Sequence, residues 1–75
     1  MQLCTISQSS ITYAVKARDA LADAALPSRI VKLDPSRTRR GCAYGLEIDC
    51  RMVNSAVGIL DRRGISYSEI VGAQS

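Results

Sequence analysis

Apolar and polar positions follow two different periods along this chain of 75 residues. Residues 2–7 alternate weakly and carry the β-compatible Leu3, Thr5 and Ile6, which predicts a first strand. Ser7, Gln8, Ser9 and Ser10 then punctuate the chain and supply candidate helix N-caps. Over residues 11–26 the apolar Ile11, Ala14, Val15, Leu21, Ala22, Ala25 and Leu26 recur at three- and four-residue spacing, while Lys16, Arg18, Asp19 and Asp23 occupy other faces. That spacing predicts an amphipathic helix, stopped by Pro27.

Residues 29–33 (Arg-Ile-Val-Lys-Leu) predict a second strand, and residues 34–42 a loop that opens on Asp34-Pro35 and closes on Gly41-Cys42. From about Ala43 to Asp49 the period is two, with Tyr44, Leu46 and Ile48 on one side and Ala43, Gly45, Glu47 and Asp49 on the other. A second helical stripe follows in Met52, Val53, Ala56, Val57, Ile59 and Leu60, with a basic last turn at Arg62-Arg63 and Gly64 placed as its C′ residue. Residues 65–71 predict the last strand.

The resulting order, βαββαβ, most simply makes an α+β, ferredoxin-like sandwich: a four-stranded antiparallel sheet with two helices on one face, as a single domain over residues 1–75. Right-handed crossovers would bring the start of the first helix, the arginine-bearing loop and the end of the second helix to one edge. Cys42, Arg39, Arg40, Arg62 and Arg63 would then be neighbours, with Cys4 and Cys50 at the opposite edge on adjacent strands.

Composition adds bounds. With 47% hydrophobic and 23% charged residues the chain is ordinary for a globular protein, and a core this small is thin. Its apolar runs fall short of a bilayer span, and its start has no basic segment leading into a long apolar one, so the expected location is the cytoplasm, with no membrane. Three cysteines are an odd number, which favours free thiols; a Cys4–Cys50 disulfide is conceivable from the geometry but disfavoured in a reducing compartment. The net charge of +3 is concentrated, with Arg37, Arg39 and Arg40 standing together and no acid among them.

Several chemistries lack their parts. There is no histidine and no Cys-x-x-Cys pair, which removes support for a metal site, and no cofactor is implied. Acid–base catalysis is equally unsupported, because Glu47 and Asp49, two apart on a strand, read as its solvated face. Nucleic-acid binding is disfavoured: Tyr13, Tyr44 and Tyr67 are the chain's aromatic residues, and no strand is rich in them. What remains is Cys42. Arginines and a helix N-terminus stabilise a thiolate or hold a small anion, and Gly41 and Gly45 leave room for one. The bland alternative is a packed cysteine beside a solvated basic loop.

The segment Arg40-Gly41-Cys42-Ala43-Tyr44-Gly45-Leu46-Glu47-Ile48, after a strand and a Pro-containing basic loop, resembles the small bacterial selenium/sulfur carrier-like proteins. It departs from their commonest form, in which glycine directly follows the cysteine; here Ala43 follows and glycine waits until Gly45. The resemblance implies a βαββαβ domain whose Cys42 holds sulfur or selenium as a persulfide or selenosulfide and exchanges it with donor and acceptor proteins. On this reading Cys42 is the attachment point, with Arg39, Arg40, Gly41 and Gly45 around the anion. The competing expectation is a non-catalytic interaction or small-anion-binding regulatory module, working as a homodimer. An exposed Cys42 favours the first and a buried one the second.

Overall fold

The computed structural model describes residues 2–34, 36 and 42–72. Its elements are β1 (Leu3–Gln8), α1 (Ile11–Asp23), β2 (Arg29–Lys32), β3 (Tyr44–Asp49), a 3-10 turn (Cys50–Met52), α2 (Val53–Arg62) and β4 (Glu69–Val71). The four strands form one sheet in the order β2-β3-β1-β4, and every neighbouring pair is antiparallel. Consequently β1 and β2 run the same way with β3 between them, and β3 and β4 run the same way with β1 between them. The class is α+β, as the element order implied.

Register decides which residues share a face, because directly paired residues point the same way and successive ones alternate. Ile6 pairs with Leu46, Cys4 with Ile48, Gln8 with Tyr44, and Ile30 also with Leu46. Ile6, Leu46 and Ile48 form one buried cluster with Ala17, Ala20 and Leu21 of α1 and Ala56, Ile59 and Leu60 of α2. Both helices therefore cover this face. Each fully buried leucine or isoleucine there contributes about 1.5–3 kcal/mol relative to exposure. The face bearing Leu3, Thr5, Ser7, Gly45 and Glu47 is the one turned away from the helices.

Ser10 caps α1: its backbone is extended (φ −153°) and its side chain accepts the Tyr13 N–H. The helix ends at Asp23, before the expected Leu26, because the chain closes on itself there. Ala25 adopts φ 61°, the Leu26 N–H reaches the Leu21 carbonyl at 2.8 Å, and Leu26 folds back onto the core. This is a Schellman closure with alanine at the position glycine favours. Helix α2 ends identically, with Gly64 at φ 67° and the Ile65 N–H on the Leu60 carbonyl at 2.9 Å, as its sequence predicted. The two helices match position for position over Ala17/Ala56, Leu21/Leu60 and Leu26/Ile65, a likeness hidden in the sequence because residue identity is kept at few positions. The last strand is shorter than residues 65–71: Ile65 and Tyr67 pack against the core, and pairing with β1 begins with the Ser68 N–H on the Ser7 carbonyl at 2.9 Å.

Candidate functional site

Cys42 lies two residues before β3, and the ladder reaches its neighbour through the Leu33 N–H on the Ala43 carbonyl at 2.8 Å. It is 4% exposed, so the thiol expected at an open edge is instead enclosed. Arg39, Arg40 and Gly41, expected around it, lie outside the described residues.

What does stand at this end of the sheet is Gln8. It closes β1 on the helix-covered face, opposite Tyr44, and the continuing alternation puts Cys42 diagonal to it on that face. Diagonal positions are about 7–8 Å apart, within reach of a long side chain. Gln8 is 0% exposed, and neither its Nε2 nor its Oε1 has a hydrogen-bond partner. Two residues on, Ser10 opens α1, whose N-terminus brings positive potential to the same end. Read by residue type, Gln8 is one polar residue in a Ser-Gln-Ser-Ser cluster. Its signal is the parity it shares with Cys4 and Ile6, which turns it inward.

Gly45 answers a different need. A Cβ there would come within 2.6 Å of Thr5 Cγ2 and 3.1 Å of Leu33 Cδ1. These side chains use the space on the face away from the helices, whereas Cys42 follows the parity of the other face. Arg63, expected beside Cys42, places its Nη1 3.6 Å from Asp23 Oδ2, which lies at the opposite end of α1 from Ser10.

The other end of β3 also corrects an expectation. Cys4 and Cys50 are joined in a disulfide, with Cα atoms 4.9 Å apart, where the odd count had favoured free thiols. The reason is register: Cys4 opposes Ile48, so Cys50 lies one diagonal step beyond, close enough to bridge. Beside it the Asp49 carboxylate accepts the Arg51 backbone N–H at 2.9 Å and its guanidinium at 2.9 Å. The side-chain bond from Arg51, then its backbone N–H, hold the Asp49 carboxyl below its ordinary range, and Asp49 in turn raises Arg51.

Among the described residues no group of three or more His, Cys, Asp or Glu could hold a metal ion, and no helix is long and apolar enough to cross a membrane. No protein-family model matches the chain, and no curated protein matches it in sequence.

Proposed function

We propose that this is a ferredoxin-like, thiol-based carrier that holds sulfur or selenium on Cys42 in the corner closed by Gln8. The strand order and the antiparallel neighbours support that topology. The observation that carries the function is the orphaned Gln8 amide. A buried donor or acceptor left unpaired costs about 1–3 kcal/mol, so native chains rarely keep one without a use. A persulfide on Cys42 supplies the missing partner, since its terminal sulfur, as an anion, accepts from Gln8 Nε2. The N-terminus of α1 and the charges of Arg39 and Arg40, close in sequence, favour the same anion. Loading is a sulfur transfer: the Cys42 thiolate attacks the outer sulfur of a donor persulfide, the new S–S bond forms on Cys42, and the donor leaves as a thiolate. A thiolate of the acceptor reverses the step.

The 4% exposure of Cys42 favours a second reading, in which this corner binds a small anion without a covalent bond and the domain acts as a regulatory module or homodimer. Nucleic acid fits neither reading: Tyr44 shares the helix-covered face and Tyr67 packs on the core, so neither offers bases a stacking platform. A carrier thiol belongs in a reducing cytoplasm, and the Cys4–Cys50 disulfide is the feature that pulls against that location.

The test uses the disulfide-intact protein, in which Cys42 is the one thiol. Incubation with glutathione persulfide should add one sulfur atom, mapped to Cys42 by mass spectrometry and absent in Cys42→Ser. Gln8→Leu should stay folded, since it removes the orphan amide, yet hold the added sulfur for a shorter time. Anion-dependent protection of Cys42→Ser from unfolding, with no sulfur gained by the native protein, would establish the second reading instead.

A further inference from the structure

The disulfide end of the molecule has chemistry of its own, independent of Cys42. Cys4 and Cys50 are both half-buried, and Cys50 walls an open depression with Gln2, Asp49 and Arg51. Cys50 also opens the 3-10 turn that runs directly into α2. The Asp49 side chain caps that turn by accepting the Arg51 N–H, and the Val53 N–H at the head of α2 reaches the Cys50 carbonyl, so turn and helix run on as one with Cys50 at their start.

Next to the depression, and sharing Asp49 with it, is a groove of about 370 Å³ lined by Leu3, Pro27, Ser28, Ile48 and Met52 among others. Leu3 adjoins Cys4 in sequence and Met52 follows Cys50 by two residues; they are 39% and 37% exposed, large apolar side chains left at the surface. Ser28 Oγ in the same groove is buried and has no hydrogen-bond partner. Ser28 directly precedes β2, an edge strand. A mostly apolar wall flanked by the Arg29–Glu47 ion pair, beside an edge strand, suits a short extended stretch of polypeptide better than a small solute.

We propose that Cys4–Cys50 is a thiol–disulfide exchange site whose partner is a polypeptide dithiol with an apolar segment that lies in this groove. The partner's thiolate attacks Cys50 Sγ and forms a mixed disulfide, while Cys4 leaves as a thiolate and takes up a proton. The partner's second thiolate then attacks the partner's own sulfur in that mixed disulfide. Cys50 is released as a thiolate beside α2 and is protonated in turn. The partner is oxidised by two electrons to a disulfide, and this chain is reduced by two to a pair of thiols. The reverse sequence reoxidises it.

The experiment compares three reductants at equal thiolate concentration: dithiothreitol, a synthetic peptide with leucines before a Cys-x-x-Cys pair, and the same peptide with those leucines replaced by serine. Reduction is followed by trapping with an alkylating agent and mapping Cys4 and Cys50 by mass spectrometry. The leucine peptide should react at least tenfold faster than the other two. Leu3→Ser and Met52→Ser, at exposed positions that leave the core intact, should erase that advantage without changing the rate with dithiothreitol. Equal rates for all three reductants on the native protein would overturn the proposal, and so would an advantage that survives both substitutions.

Discussion

Reducing the Cys4–Cys50 disulfide should cost this domain a large part of its stability. A cross-link acts chiefly on the unfolded chain, and the loss of loop-closure entropy grows with the length of chain enclosed. Here the two cysteines are 46 residues apart, more than half the chain. The loop-entropy relation for that length gives about 4 kcal/mol at 25 °C. Stability of roughly 0.05–0.15 kcal/mol per residue puts a domain of this size at about 4–11 kcal/mol in all, so the reduced form keeps about 0–7 kcal/mol. The assay is urea unfolding followed by circular dichroism, with and without reductant, and with the Cys4→Ser/Cys50→Ser double variant as a permanently reduced control. With a slope of about 1 kcal/mol per molar urea, the midpoint should fall by about 3–4 M. The slope itself should rise on reduction, because an unfolded chain freed of its cross-link exposes more surface. A midpoint shift below about 1 M with an unchanged slope would refute the argument, and would mean that the pairing of β1 with β3 persists in the unfolded chain.

Other consequences can be measured directly. Ala25→Gly should stabilise the protein by about 0.5–1 kcal/mol and raise Tm by several degrees, because alanine is held at φ 61°; Gly64→Ala, at φ 67° with open space around its Cβ position, should lose a similar amount through backbone strain alone. Gly45→Ala should cost about 1–3 kcal/mol in denaturant melts, since its Cβ would meet Thr5 Cγ2 at 2.6 Å, and adding Thr5→Ser, which removes that methyl group, should recover part of the loss. Asp49 is held ionised by Arg51, so its contribution is fully present above about pH 4, the ordinary carboxylate range, and is lost as pH falls through its lower folded value. In Tm measured from pH 2 to 6, Asp49→Asn should flatten that acid limb, while its amide oxygen still accepts the Arg51 N–H. An acid limb that the substitution leaves unchanged would remove Asp49 as its source.

Much of the fold was legible because periodicity is a local signal. The alternation over Tyr44–Asp49 became β3 with the expected residues on each side, and the stripe through Ala56, Ile59 and Leu60 became the buried face of α2. Gly64 announced its helix end because glycine is the residue that adopts positive φ without strain. Ala25 performs the same turn and gives no such notice, so the sequence pattern carries α1 on to Leu26 and the stop at Pro27, whereas the closure between Leu21 and Leu26 ends it first. The candidate site was less legible, since it depends on strand register. Which residue opposes Gln8 or Cys4 is set by pairings across dozens of residues, and no window of sequence contains them.

The odd cysteine count misled for a related reason, and its correction sharpens the functional question. Parity asks whether all cysteines can pair, whereas register asks which of them can meet. Cys4 and Cys50 meet because they end adjacent strands at one end of the sheet; Cys42, at the opposite end of β3, has no cysteine within bridging distance. The disulfide thus separates the three cysteines into a bridged pair and a single enclosed sulfur at the end of the sheet that holds the unpaired Gln8 amide. As free thiols, Cys4 and Cys50 would compete with a carrier thiol for its cargo, whereas bridged they stabilise the fold. If Cys42 carries sulfur as proposed, locking Cys4 and Cys50 together removes that competition, and the redox state of one end of β3 then sets how selectively the other end is charged.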